Sequence, residues 1–217
     1  IMSALPVSVI TPAKSGDLIR AYYLKDKIPA AQVMGGVVTE RLIDAFILAF
    51  YSFLGAMLFK NWLILFISLS LLFLIPLFFL AISRIKFPPG RWQERIDGFS
   101  HILKIFIREP KKLLPILFYS AFLWLLIILA VKILFLALGA DVPLLYIATA
   151  FPLAIFISLL PITIAGMGTR DSAIIYFFSP FAGTAVCLGV GLLYSLFAYW
   201  LLALLGLPFM KKSLQKI

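Results

Sequence analysis

Long apolar runs separated by short polar breaks set the pattern of this chain, and four of those runs are long enough to be read as membrane-crossing helices. The first runs from Ala30 to Phe59, begun just after Pro29. The second runs from Trp62 to Ser83, with Pro76 as an expected kink. The third covers Leu113 to Leu138 and the last Ala182 to Phe209. A hydrocarbon core of ~30 Å takes roughly 20 helical residues, which each run supplies. None of them alternates with period two, so helices are expected rather than a barrel.

Two further apolar stretches are too short to cross alone. Ile1 to Ile10 breaks at Thr11-Pro12 and is followed from Gly16 by a short helical pattern ending at Lys27, with Asp17 in its first turn and Lys25 and Lys27 in its last. Leu144 to Leu160 breaks at Pro161 and is followed, after a glycine loop, by Ser172 to Phe178. Each has the parts of a re-entrant hairpin. Proline and glycine break helices, and broken backbone at membrane depth is tolerated only inside protein or beside a wet cavity. The predicted fold is therefore all-α and polytopic, with about four full spans and two re-entrant hairpins in one membrane domain over 1–217.

The polar stretch between the spans divides that domain into halves. Residues 84–112 hold Arg84, Lys86, Arg91, Arg95, Lys104, Arg108, Lys111 and Lys112 against Glu94, Asp97 and Glu109, which places this connector in the cytoplasm by the positive-inside rule. Trp92, Ile96, Phe99, Leu103 and Phe106 recur in it at helical spacing. An interfacial helix on anionic headgroups is expected there. The turn Gly139 to Pro143 has no basic residue and is read as external, while Lys132 is placed to snorkel near the end of its span. Lys211, Lys212 and Lys216 return the C-terminus to the cytoplasm. Counting crossings outward from the connector puts the first hairpin (in 1–83) and the second (in 113–217) on opposite sides of the membrane, an inverted repeat whose polar loops face one another. Ser15-Gly-Asp-Leu-Ile-Arg-Ala-Tyr-Tyr23 weakly echoes Thr169-Arg-Asp-Ser-Ala-Ile-Ile-Tyr-Phe177. Broken helices in inverted repeats are the architecture of many secondary transporters.

Composition narrows the chemistry. At 64% hydrophobic and 13% charged residues, with a mean hydropathy of +1.12, a soluble globule is excluded. The net charge of +10 has no soluble basic domain to serve, so nucleic acid is not an expected partner. Cys187 and His101 are the single cysteine and histidine. No disulfide framework, thiolate zinc site or Ser-His-Asp triad can then be assembled, and no cofactor is expected. A start at Ile1 without a cleavable signal pattern leads us to expect a processed or partial chain.

Charge within apolar surroundings marks the candidate site, because ionisable groups there are costly and by default functional. One set is Lys14, Asp17 and Arg20 in the first hairpin. A second is Glu40, Arg41 and Asp44, three and four residues apart on one helical face, where pairing is possible and a merely structural ion cluster is an equal reading. The third is the loop Pro161 to Asp171, with Thr163, Gly166, Gly168, Thr169, Arg170 and Asp171. Arg170 and Lys14 are suited to hold a phosphate, Arg as a bidentate fork and Lys as a point charge. Backbone N–H groups at the helix starts after Gly16 and Gly168 would add anion affinity. Asp17 and Asp171 would fix those cations or meet a cationic part of a headgroup. The bland alternative is that the acid-base pairs only neutralise each other. Along the last span Ala185, Gly189, Gly191 and Ser195 permit close helix contact, for which core packing is the simpler use.

Four of these stretches, Pro12 to Arg20, Val38 to Asp44, Arg108 to Pro115 and Pro161 to Asp171, resemble in order and spacing the lysylphosphatidylglycerol synthase transmembrane region, a flippase-like membrane domain of bacteria and archaea. The resemblance implies translocation of a phospholipid or lipid-linked headgroup between leaflets of a prokaryotic cell membrane. Asp17 and Asp171 stand where Glu is commoner in that family, and Ile162-Thr163 replaces part of a more glycine-rich run. Nothing within 1–217 resembles the aminoacyl-transfer domain, so that activity is not carried over and the chain is not expected to be an enzyme. Two other classes compete: a membrane enzyme acting on a lipid phosphate, with two of Asp17, Glu40 and Asp171 as acid and base, and a non-transporting partner of a cell-envelope glycosyltransferase. The first lacks a metal-type Asp-x-x-Asp or His cluster. A homo-oligomer is compatible with every reading.

Overall fold

In a computed structural model of the protein, which describes residues 29–84, 105, 108–158, 163 and 166–214, every regular element is a helix. The described chain forms two compact units, one within 20–124 and the other within 125–217.

The first unit opens with α1 (Ala30–Phe59), which begins directly after Pro29 as the fixed φ of proline at a helix start allows. At its other end Lys60 adopts the left-handed conformation, φ 52° and ψ 34°, and its N–H returns to the Ala56 carbonyl. Asn61 then closes the turn: its N–H also bonds to the Ala56 carbonyl at 3.1 Å, while its side-chain oxygen accepts the Ile64 N–H at 3.2 Å. That cap starts α2 (Trp62–Arg84). Here the two polar residues between two apolar runs are themselves the stop and start signals. Pro76 lies inside α2, where it cannot donate to the Leu72 carbonyl. Trp62, Phe66 and Phe73 project from α2 more than 70% exposed, as suits a helix whose solvent is lipid. A 3₁₀ turn (Pro110–Lys112) leads into α3 (Leu113–Ala137), and the Tyr51 hydroxyl donates to the Ala121 carbonyl at 2.9 Å to hold α1 against it.

The second unit starts from the end of α3. Lys132 does not simply snorkel: it reaches across the turn to pair with Asp141 and donates to the Val142 carbonyl at 2.7 Å. The turn expected to be free of basic residues is thereby neutralised by a lysine from the span before it. Helix α4 (Leu144–Ser158), a broken stretch, and α5 (Thr169–Phe178) follow, then α6 (Thr184–Ser195), a π-helical turn (Leu196–Trp200) and α7 (Leu201–Leu214). At 15 and 10 residues α4 and α5 fall short of a full crossing, and α4 packs on α5, which packs on α6. Phe135, Phe178, Tyr146 and Phe181 stack around the junction at ring separations of 4.5–5.6 Å, with the Tyr146 hydroxyl donating to the Phe177 carbonyl at 2.7 Å. Among the described residues, four helical stretches have the length and apolar character to cross a membrane: Ala30–Phe59, Trp62–Ala81, Leu113–Ala137 and Thr184–Gly206. These match the four predicted spans. The first hairpin and most of the connector, including Trp92, Phe99 and His101, lie outside the described residues, as do the side chains of Lys211, Lys212 and Lys216.

Candidate functional site

The glycine loop forms a turn in which glycine is required twice. Gly166 (φ +72°) and Gly168 (φ +92°) sit in the left-handed region, and a Cβ on Gly166 would also lie 2.5 Å from the Ser158 Cβ. This lets the backbone reverse against the end of α4. Thr163 and Thr169 clasp the turn through their hydroxyls at 3.0 Å, and the Thr169 hydroxyl also donates to the Gly166 carbonyl at 3.2 Å. Asp171 then caps α5, its Oδ2 accepting the Gly168 N–H at 3.0 Å. A carboxylate in a first helical turn is favoured by the helix dipole as well.

The other oxygen of Asp171 holds Arg170. Its Oδ1 accepts from Arg170 Nε at 3.2 Å and from Nη2 at 2.7 Å. Nη2 further contacts the Gly191 carbonyl at 3.2 Å and the Ser195 hydroxyl at 2.5 Å, both on α6. Arg170 is fully buried and Asp171 nearly so. The approach depends on Gly191, because a Cβ there would lie 2.5 Å from Asp171 Oδ1. Above the guanidinium stand Tyr194 and Tyr199, with ring centroids 4.8 and 5.5 Å from its central carbon. At 100° per residue these tyrosines would sit about 140° apart on a regular α-helix. The π turn across 196–200, closed by the Leu201 N–H bonding back to the Leu196 carbonyl, brings both to the same cation.

Counting donors exposes the unusual feature of this cluster. Arginine carries five N–H groups. Nε and Nη2 are engaged, but Nη1, which carries two hydrogens, has no hydrogen-bond partner although it is buried; it is the one such side-chain nitrogen or oxygen among the described residues. A buried charge that is only partly satisfied is costly, the more so in a low-dielectric surrounding.

The second set of predicted residues behaves differently. Asp44 accepts from the Ser120 hydroxyl at 2.8 Å and from the Trp124 indole N–H at 3.3 Å, and Arg41 lies 3.7 Å from its other oxygen. Arg41 and Asp44 are half-buried and Glu40 is exposed. The expected Arg41 to Asp44 pairing is present, and the cluster ties α1 to α3. Ser120 and Trp124 were not singled out by sequence reasoning, nor were Tyr194 and Tyr199; of the Arg170 partners, Gly191 and Ser195 were noticed, but for helix packing. Lys14, Asp17 and Arg20 lie outside the described residues. No group of three or more His, Cys, Asp or Glu able to hold a metal occurs among the described residues.

Comparison with known proteins gives the family. The model of the lysylphosphatidylglycerol synthase TM region matches residues 1–206, and the chain belongs to that family. A UPF0104 membrane protein of Methanothermobacter thermautotrophicus is 23% identical over 256 aligned positions, covering 100% of this chain and 75% of the relative. Another from Methanocaldococcus jannaschii is 26% identical over 238 positions, covering 95% of this chain and 71% of the relative. No solved structure matches.

Proposed function

We propose that this member of the lysylphosphatidylglycerol synthase transmembrane family is a lipid flippase or flippase-like transporter that moves a phospholipid or lipid-linked headgroup between leaflets of a prokaryotic cell membrane, with its connector and C-terminus in the cytoplasm. The observation that carries this reading is the buried Arg170 guanidinium with Nη1 unpaired, set at a glycine-broken helix start inside an otherwise apolar membrane protein. Family membership supports it at the coarser level of a membrane protein related to lipid-handling domains.

The chemistry follows from the donor geometry. A headgroup phosphate would take the two Nη1 hydrogens, a planar pair suited to two phosphate oxygens. Asp171 orients Arg170, and it also repels the incoming anion. Hydrocarbon chains remain in lipid. The turn at Gly166 to Gly168, broken from α4, gives the headgroup a polar backbone at a depth where helices offer none.

The test is leaflet exchange of headgroup-labelled lipids in liposomes carrying the purified protein, with anionic, zwitterionic and aminoacylated headgroups compared. Accelerated exchange that is lost in folded Arg170→Glu or Asp171→Lys protein is expected. Exchange retained in both variants would overturn the assignment of the site, and its absence for every headgroup would overturn the transporter reading.

A further inference from the structure

The first unit contains a cavity that plays no part in the Arg170 cluster. It measures about 310 Å³, at the lower edge of the roughly 300–1,000 Å³ of small-ligand pockets. Its walls are Leu42, Ile43 and Phe46 of α1, Ile75, Pro76, Phe79 and Leu80 of α2, and Leu113 and Leu117 of α3, with no polar side chain among them. Pro76 is one of the lining residues, in a helix whose outer face is bare. A more open depression of about 530 Å³, lined also by Leu74, Leu77, Phe78 and Ala81 of α2, shares Leu42 and Ile75 with it.

One end of the cavity is basic. Arg84 is exposed at the last position of α2, four residues or about 6 Å of helix beyond the lining residue Leu80. Exposed Lys111 and Lys112 immediately precede Leu113, also a lining residue. Lys112 is paired with Glu109 at 2.8 Å, and Arg84 and Lys111 are the exposed cations beside the lining residues. An apolar slot within membrane-crossing helices, ending at two cations, is complementary to one kind of molecule. We propose that this cavity holds a hydrocarbon chain of an anionic phospholipid whose phosphate rests against Arg84 and Lys111. This is a second lipid contact, separate from the headgroup site at Arg170, and it stands whether or not the protein moves lipid. An uncharged tail in the slot gains by filling apolar space, and the headgroup adds roughly 1 kcal/mol per basic residue, which is about fivefold in occupancy for each and about thirtyfold for the two.

The experiment is photocrosslinking in nanodiscs of the full chain, with phosphatidylglycerol or phosphatidylcholine bearing a diazirine on the acyl chain, followed by peptide mapping. Peptides containing Phe46, Phe79 and Leu117 should be labelled about thirtyfold more by the anionic lipid than by the zwitterionic one. Outward positions such as Phe73 and Phe118 should show no such preference. In Arg84→Gln/Lys111→Gln protein the preference should vanish while labelling of the cavity persists, and Leu117→Trp should reduce labelling by both lipids. Equal labelling by the two lipids in the unaltered protein would overturn the proposal, because the slot would then only share in general solvation by the bilayer. Absence of label from the cavity peptides would overturn it too, leaving the slot to some other segment, such as the chain's own apolar connector stripe. Circular dichroism of each variant confirms that a loss of preference is not a loss of fold.

Discussion

Among the described residues, the charge clusters around Asp44 on α1 and around Arg170 on α5 differ in how completely they are satisfied. Around Asp44 the carboxylate has a hydroxyl, an indole and a nearby guanidinium as partners, drawn from α1 and α3, and remains half-buried. Around Arg170 the charge is fully buried, bound to one acid, one carbonyl and one hydroxyl and covered by two rings, yet two of its hydrogens face no acceptor. The first arrangement has what a helix lock needs. The second holds more positive hydrogen-bonding capacity than its own surroundings use, which is the condition for admitting an anion. In sequence the two looked alike, each an acid and a base among apolar residues, and the donor count separates them.

Removing the buried cation should give the largest effect. Arg170→Met leaves Asp171 buried without its partner, so a loss of about 3–5 kcal/mol is expected, read as a fall in thermal midpoint in detergent. The double variant Arg170→Met/Asp171→Leu removes both charges and should recover most of that stability, because a well-packed apolar pair often replaces a buried ion pair at little cost. Lipid exchange should nevertheless stay absent. A double variant that regained both stability and exchange would reduce the Arg170 cluster to a lock like the one at Asp44.

Next in size is Gly191→Ala. Its new Cβ would meet Asp171 Oδ1 at 2.5 Å, so the acid must shift and carry Arg170 with it. A cost of about 1–3 kcal/mol is expected, with exchange lost in parallel. Asp44→Ala comes close behind in stability, about 1–3 kcal/mol from the unpaired Ser120 and Trp124 donors, but should leave exchange intact, which is the sharpest contrast between the clusters. Tyr199→Leu should cost about 0.5–2 kcal/mol through the lost ring contact. Asp44→Asn keeps an acceptor for Ser120 and Trp124 and should fall below about 1 kcal/mol.

Much of the fold was legible from the chain. The four spans could be read because length and unbroken apolarity decide them, and Lys60-Asn61 marked a turn because polar residues between two such runs have few other uses. The Arg170 and Asp171 pair stood out as a candidate because charge is expensive there. Its surroundings did not. Gly191 and Ser195 looked like packing residues, since small side chains at helical spacing serve helix contact and polar approach equally. Tyr194 and Tyr199 could not be paired at all, because five residues apart they point apart on an α-helix, and only the π turn reunites them. Lys132 was read from its own depth alone, whereas its partner Asp141 lies nine residues on, across a turn. The equal odds given to Glu40, Arg41 and Asp44 reflected a limit of spacing arguments, which show that charges share a face but not that Ser120 and Trp124 meet them from another helix.

The most direct measurement compares leaflet exchange of an anionic headgroup-labelled phospholipid in matched liposomes carrying the unaltered protein, Arg170→Lys or Asp44→Asn, at equal amounts of folded protein. Arg170→Lys keeps the charge and the bond to Asp171 but removes the planar Nη1 donors, so exchange should fall at least about tenfold, the worth of roughly 1.4 kcal/mol of lost hydrogen bonding to a charged group. Asp44→Asn should stay within about twofold of the unaltered protein. Full exchange with Arg170→Lys, or an equal loss in both variants, would contradict the assignment of lipid translocation to the Arg170 cluster.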